Sequence, residues 1–567
     1  MQKRWVIREN TNEQAANSLS SELNIDPVLG RMLVQRGIDN FDDARHFFRP
    51  DHRHLHDPFL MKDMEKAIER IEDAIKANEK ILIYGDYDVD GTTSVAVVYS
   101  FLKKYHRYLE YYIPDRYLEG YGVSLKGIDY AAENGFTLII ALDCGIKAVD
   151  KVAYATERGV DFIICDHHTP GDEIPAAIAV LDPKRTDCEY PYKELSGCGI
   201  GFKLIQAFAE KNNIPFEEIL GYTDLLVVSI ACDIVHITGE NRVLAYLGLQ
   251  KLNNNPCIGL KTLMDVAGRS SNYTISDIVF SIGPRINAAG RIDDAKHAVE
   301  LLIACNEDNA KIKSELINLK NIERKEHDLN ITDEALSMID NSEVLIARKS
   351  TVVFSENWHK GVIGIVASRL TEKYYRPTVV LTRSNGHVAG SARSVLGYDL
   401  YEALCGCSDL LIQFGGHKYA AGLTMQPENV EAFMHRFEEV VSTSIKPEQL
   451  IQQVSIDALL ELKQIEPKFF RILSQFSPFG PENMAPVFLS KNVYVCGSAM
   501  PVGTNHIKMS VMQPGSPMFD CIAFGHGEFL DKIKKDVPFD ICYTIEENIW
   551  REKRSIQLNI KGIRCRD

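Results

Sequence analysis

The run Ile81-Leu-Ile-Tyr-Gly-Asp86-Tyr-Asp88-Val-Asp90-Gly-Thr-Thr-Ser94 constrains this chain more than any other stretch. Its apolar start reads as a short buried strand. The residues that follow, 94–102, read as a helix opened by a Thr/Ser cap. Between the two stand three aspartates at alternate positions. Such a loop repels itself unless cations neutralise it, and carboxylate oxygens suit hard ions such as magnesium and manganese. An isolated Asp-x-Asp is more often a solvated acidic turn. Here the strand before and the helix after place the acids at the carboxyl edge of a sheet, where open α/β sheets bind ligands.

The same punctuation recurs downstream. An amphipathic helix with Met64, Ile68, Ile71 and Ile75 at helical spacing leads into the first strand. Strands are then expected at 81–84, 111–113, 137–142, 162–165 and 176–181, with helices at 93–104, 125–134 and 147–157. This alternation implies a mostly parallel sheet covered on both faces. One later strand ends Leu142-Asp143-Cys-Gly145, and the next ends Cys165-Asp166-His167-His168. Parallel connections bring these ends to one edge, so several aspartates and two histidines should share a cleft. Asp233 closes an apolar helix beginning near Asp224 and, if buried, needs a partner. The Gly-rich turn Ser196-Gly-Cys-Gly-Ile-Gly201 reads as packing rather than as a phosphate loop.

Asp88, Asp90, Asp143, His167 and Asp233 form a carboxylate and imidazole set large enough for two divalent ions. Asp143 is the expected bridge, holding ions roughly 3.5–4 Å apart. Oxygen-rich ligands with an imidazole favour manganese or magnesium over zinc. His168 would be left to touch a substrate or act as an acid.

Outside this region the chain divides into recognisable segments. Residues 1–60 read as a helical segment and 61–305 as the acidic α/β domain. Residues 306–340 read as a long connecting helix and 341–440 as a second α/β unit. Linker helices are expected over 441–484 and a β-rich tail over 485–567. Ser281-Ile-Gly-Pro-Arg285-Ile-Asn287-Ala-Ala-Gly290-Arg291 sets cations and an amide among small residues, which suits an anion. Gly390-Ser-Ala-Arg393 and Phe414-Gly-Gly-His417 read as small-residue loops offering amide donors and charge to a phosphate. The tail holds five strand-like runs with a helix at 528–535 before the fourth, the order of an OB-like barrel. Phe524, Tyr543, Trp550 and Lys508 are its candidate strand contacts.

Composition narrows the class. With 45% hydrophobic and 25% charged residues the chain is an ordinary globular one. It has no apolar run long enough to span a membrane, and residues 1–10 lack the apolar core of a signal peptide. The 13 cysteines, Cys305 among them, read as reduced buried thiols of a cytoplasmic protein. A net charge of -15 argues against a surface that coats polyanions, so any cations serving nucleic acid must be confined to one channel.

Asp86-Tyr-Asp88-Val-Asp90-Gly91, Leu142-Asp143-Cys-Gly145, Asp166-His167-His168 and Asp233 resemble the four motifs of the DHH phosphoesterase superfamily. Gly390-Ser-Ala-Arg393-Ser and Gly415-Gly416-His417 resemble the signatures of its associated second domain. The segment 284–291 and Trp358-His-Lys-Gly-Val-Ile-Gly-Ile-Val-Ala-Ser-Arg369 narrow the resemblance to the superfamily's bacterial 5′-to-3′ exonucleases specific for single-stranded DNA.

The resemblance implies an α/β fold: a DHH-type parallel-sheet domain and a DHH-associated α/β domain joined by a long helix, then an OB-like barrel. It implies Mn2+ or Mg2+, two ions per site, on Asp88, Asp90, Asp143, His167 and Asp233, with Asp86, Asp166 and His168 completing the centre. Arg285, Asn287, Arg291, Ser391, Arg393, Gly415, Gly416 and His417 would hold phosphates, and Arg116 and Tyr121 the 5′ end. Single-stranded DNA is the implied substrate. A single-strand-binding protein and a helicase are the implied partners of a monomer without membrane contact. Two alternatives share the motifs: a hydrolase of very short oligonucleotides or phosphoanhydrides, and a non-catalytic strand-binding scaffold, whose acids would be eroded.

Overall fold

Strand Lys80–Gly85 pairs in parallel with Leu109–Tyr112 on one side and Phe136–Leu142 on the other; Asp161–Cys165 and Ala179–Leu181 complete a five-stranded sheet. Beyond Lys80 and Thr137 the two central strands are apolar, because both faces are covered. Ile81, Ile83, Leu138 and Ile140 face a core shared with helices Met64–Lys76, Val89–Leu102 and Gly197–Lys211. Leu82, Tyr84, Ile139 and Ala141 face the opposite core, under helices Leu125–Glu133 and Val149–Glu157.

The computed structural model describes residues 3–9, 12–269, 272–550 and 553–565. They form two units, one of residues 8–320 with 457–567, the other of 1–7 with 321–456. The expected connecting helix is present as Glu307–Asp340, carrying the chain from one unit into the other. None of the described helices is long and apolar enough to cross a membrane.

In the first unit the tail forms a closed barrel. Strands Phe488–Val502, His506–Met512, Phe519–Phe524, Lys553–Arg564 and Phe539–Trp550 follow one another in pairing order, and the last returns to the first. The expected helix near 528–535 is a 3-10 segment, Gly527–Lys532. Tyr543, expected as a strand contact, is fully buried, its hydroxyl bonded to Ser490 at 2.8 Å; it belongs to the core. Phe524 is exposed, and the Trp550 side chain lies outside the described residues. The barrel shares its core with the N-terminal helices Glu13–Leu23 and Pro27–Val34 through Leu19, Leu29, Met32 and Leu33. Arg242 ties the same region to the acidic domain. It lies over the Phe47 ring at 3.7 Å and donates to the carbonyls of Phe47, Gln475, Phe476 and Ser477.

The second unit is a mixed five-stranded sheet in the order Leu411–His417, Ala420–Met425, His387–Arg393, Thr378–Ser384, Thr351–Ser355. The expected small-residue loops at 390–393 and 414–422 are therefore largely strands. Gly390 sits where a Cβ would meet Leu381 and Leu423 at 2.6 and 2.8 Å. The glycine answers to packing, not to a turn.

Two short pairings correct the expected helical ends. Arg4–Ile7 is a strand parallel to Gln453–Ile456, and Ala458–Leu459 pairs with Phe488–Leu489 of the barrel. Residues 441–484 are thus not only linker helices. Two exposed thiols, Cys305 and Cys405, depart from the expectation of burial, and all 13 cysteines are free.

Candidate metal centre

Four neighbouring strands end in register: Gly85 opposite Leu142, Leu142 opposite Cys165, Cys165 opposite Leu181. The next residue is an aspartate each time, Asp86, Asp143, Asp166 and Asp182, and all four are buried. Asp182 is a fourth acid of this edge, outside the motifs read from the sequence. Its Oδ1 accepts from the Lys184 amide at 2.7 Å, and burial pushes it up to about 7.

Helix Val89–Leu102 begins earlier than expected, because Asp88 and not Thr92 or Ser94 is its cap. Asp88 Oδ1 accepts from the Gly91 amide at 3.0 Å. Asp90 is thereby wound into the first turn and aimed inward. Its carboxylate is held from across the site, by the amides of Gly197 at 2.7 Å and Cys198 at 2.8 Å, and by the Ser229 hydroxyl at 2.7 Å. Two adjacent amides at the start of helix Gly197–Lys211 form an anion cradle of the helix N-terminal kind. The Gly-rich turn read as packing thus holds an acid of the site. Ser229 gave no signal in the sequence, lying within the apolar helix Thr223–Cys232.

His167 is the meeting point. Its Nε2 stands 3.3 Å from Asp143, 3.4 Å from Asp233 and 3.9 Å from Asp90. Two groups able to hold an ion share it: Asp143, His167 and His168, and Asp90, His167 and Asp233. Asp86 and Asp88, expected as ligands, lie beside these groups rather than in them. Asp86 Oδ1 accepts from the Gly122 amide at 3.3 Å. Asp166 is spent on organisation: it accepts from the amides of Ile146, His167 and His168 and pairs with His168 Nδ1 at 2.7 Å. Backbone strain marks the same places. Asp143 has φ 60°, and Ile234, directly after Asp233, has φ 59°, an outlier for a β-branched residue.

The donor set fits divalent cations. Asp86 Oδ2, Asp143 Oδ1 and both ring nitrogens of His167 are buried without a hydrogen-bond partner, a state that is costly unless something binds them. Burial, and then their mutual repulsion, pushes Asp86, Asp88, Asp143 and Asp233 above the ordinary carboxylate range. Burial holds His167 below the usual imidazole value, the neutral form a metal needs. His168 goes the other way. Burial opposes its charge, but the Asp166 hydrogen bond outweighs that and raises it to about 9, while Asp166 falls to about 2.

Of the expected substrate residues, the acidic domain places Arg116, Tyr121 and Arg291 beside this centre. Arg116 lies over the Tyr87 ring at 4.7 Å, between Asp86 and Asp88 in the chain. The Tyr121 hydroxyl is 3.1 Å from His168 Nε2. Helix Gly283–Ile292 approaches so closely that a Cβ on Gly290 would lie 2.6 Å from the Tyr87 carbonyl, and Tyr117 donates to the Arg291 carbonyl. Asn287 is half-buried on the same helix. Arg285, on the same helix, donates to Asn318 at 3.0 Å and to the Ser281 carbonyl at 2.7 Å. Ser391, Arg393, Gly415, Gly416 and His417 sit on neighbouring strands of the other unit. There Arg393 donates to Ser391 at 3.1 Å and His417 is exposed.

Comparison with known proteins places these features in a family. The DHH family N-terminal domain matches residues 80–230, the DHHA1 domain 344–443 and the RecJ OB domain 456–562. The chain is 37% identical to the single-stranded-DNA-specific exonuclease RecJ of Bacillus subtilis, over 98% of this chain and 70% of that protein. It is 30% identical to the Escherichia coli enzyme of the same name, over 95% and 96% of the two chains. The crystal structure of RecJ with Mn2+ from Thermus thermophilus superposes with a TM-score of 0.85 at 26% identity, covering 100% of this chain and 80% of that one. A strand-edge acid cluster centred on His167, a DHHA1 sheet and a closed barrel, at this identity over nearly the whole length, mean that the chain belongs to the RecJ family of the DHH phosphoesterases.

Proposed function

We propose that this chain is a metal-dependent exonuclease that degrades single-stranded DNA from its 5′ end to mononucleotides, in DNA repair and recombination. The observation that carries this reading is the convergence of Asp90, Asp143 and Asp233 on His167, with buried ligand atoms that nothing in the protein satisfies. The relatives' shared name supplies the substrate class.

Asp88, Asp90, Asp143, His167 and Asp233 would hold two Mn2+ or Mg2+ ions, with Asp86 completing the acidic shell. When bound, such ions lower the pKa of a water and neutralise charge on the phosphoryl oxygens. The protein's own groups do the rest. The Gly197 and Cys198 amides and Ser229 fix the Asp90 carboxylate in one orientation. Asp166 keeps His168 protonated at neutral pH, so His168 presents an N–H toward the Tyr121 hydroxyl and toward a phosphate placed there. Tyr121 is itself pushed upward, first by burial and then by the surrounding carboxylates, and stays a neutral donor. Arg116 and Arg291 supply cations for phosphate oxygens, while Ser391, Arg393 and the Gly415-Gly416-His417 segment offer further phosphate contacts. The enzyme would act as a monomer in the cytoplasm beside a single-strand-binding protein and a helicase.

The test uses the purified chain with manganese. It is offered long single strands labelled at either end, the matching duplex, and a dinucleotide. Stepwise mononucleotide release from the 5′ end of the single strand alone is expected. Cleavage confined to the dinucleotide would instead mark a small-substrate phosphodiesterase, and binding without turnover a scaffold.

A further inference from the structure

Phe280 is 79% exposed, the most exposed of the large apolar side chains among the described residues. Solvating a phenyl ring this fully is costly where most of the chain's aromatics are at least partly covered, and its neighbours Ile278 and Ile282 are fully buried. It sits in a π-helical turn, Ile278–Ile282, that runs directly into helix Gly283–Ile292. Single π turns inside helices recur at functional sites because the extra residue re-aims a side chain.

The place of this turn is set by two close approaches. A Cβ on Gly283 would meet Cys232 Sγ at 2.4 Å, one residue from Asp233. At the far end Gly290 abuts the Tyr87 carbonyl, between Asp86 and Asp88. The segment therefore runs along the mouth of the metal centre. Asn287 and Arg291, four apart, share one face of this helix, and Phe280 projects from the π turn at its start. Arg291 faces the acidic loop, since its charge acts on the Tyr87 hydroxyl. Between Phe280 and Arg291 the axis rises about 16 Å, at about 1.5 Å per residue. The segment thus carries an aromatic face, an amide and a cation in order along its length, the set that tracks a single strand without reading its sequence.

We propose that Phe280 is a stacking platform for one nucleobase of the bound strand, separated by the length of this helix from a phosphate held at Arg291. The inference rests on the proposed exonuclease function and adds a binding position to it. It has a sharp consequence: a long strand with a phosphate held at Arg291 reaches Phe280, whereas a dinucleotide held there does not.

The experiment compares the full chain with Phe280→Ala and Phe280→Trp. With manganese, Phe280→Ala should raise KM for a long single strand about 5- to 100-fold, the range base–aromatic stacking supplies. Its kcat and its cleavage of a dinucleotide should be unchanged, and Phe280→Trp should restore KM. A 2-aminopurine stepped along the strand, read in an Asp143→Ala background, should be quenched at one position with Phe280 and not with Phe280→Ala. Unchanged KM, loss shared equally by the dinucleotide, or no position-specific quenching in a strand that still binds would each overturn the platform. If the unaltered chain neither binds nor degrades single strands, the exonuclease reading falls and takes the platform with it.

Discussion

Gly197 lies flat against Asp143: a Cβ on the glycine would stand 2.5 Å from the aspartate's Oδ1. The same glycine's amide holds Asp90 at 2.7 Å. One residue therefore sets the spacing of two acids that come from different strand ends. Gly197→Ala gains at most about 1 kcal/mol of helix propensity, and overpacking a buried site costs about 1–3 kcal/mol. The clash wins, and it falls on Asp143. We expect Mn2+ affinity, by calorimetric titration, to drop roughly 10- to 100-fold. Affinity equal to that of the unaltered chain would show that the two acids are not spaced by this contact.

Asp143→Ala separates chemistry from strand binding. Asp143 meets the repulsion of Asp90, Asp88, Asp233 and Asp166, which makes it the central acid. Its loss should lower hydrolysis roughly 10³-fold or more, while affinity for a single strand, which phosphate contacts dominate, changes little. Substantial residual turnover would refute its role in holding the ions.

The pH dependence of stability carries a definite sign. Asp86, Asp88, Asp143 and Asp233 have folded-state values raised by burial and by one another. A raised carboxylate favours the protonated folded form, so its contribution is intact below the unfolded value of about 4 and is lost as pH rises above it. Cations remove that loss. The gain in Tm on adding Mn2+ should therefore be larger near about pH 8 than near about pH 5. Taking the difference with and without metal cancels acids such as Asp166, which is held near 2 and loses its contribution only in strong acid. An equal gain at both pH values would contradict the electrostatic account of the cluster.

Ser229 shows what the sequence concealed. Its hydroxyl donates to Asp90 at 2.7 Å and bonds Ser196 at the same distance, with no exposed surface. Ser229→Ala removes one hydroxyl and leaves the packing around it in place. We expect roughly a 10- to 100-fold loss of metal affinity or activity, with the thermal midpoint of the metal-free form nearly unmoved. A loss of midpoint with metal affinity intact would make Ser229 a core residue only.

The contrast with Asp86, Asp143 and Asp166 explains which features were legible. Those acids follow apolar runs directly, so strand and site acid are encoded in one local stretch, and parallel topology dictates that they meet. Ser229 and the Gly197 amide reach Asp90 from over a hundred residues away along the chain, through helix packing that local periodicity does not encode. Asp88 shows a second limit: the acid expected on a metal also caps the helix through Oδ1, a start that Thr92 and Ser94 concealed. The strands at His387–Arg393 and Leu411–His417 were hidden for a third reason. Gly390, Gly415 and Gly416 carry loop propensity, and tertiary pairing overrides it.

The barrel invites removal as a test of strand binding, but its core forbids a clean cut. Leu19, Leu29, Met32 and Leu33 of the N-terminal helices are buried in one cluster with Phe488, Val493, Ile541 and Tyr543. Re-exposing four such side chains costs about 1.5–3 kcal/mol each, which together rivals the roughly 5–15 kcal/mol of a whole domain. Deleting 485–567 should therefore leave the helices between Glu13 and Val34 protease-sensitive and the protein prone to aggregate, whatever its effect on DNA. Phe524→Ala, on the exposed barrel surface, should leave stability within about 0.5 kcal/mol and so report strand binding alone. Limited proteolysis decides the point: a deletion variant as resistant over residues 13–34 as the full chain would show that the N-terminal helices do not depend on the barrel.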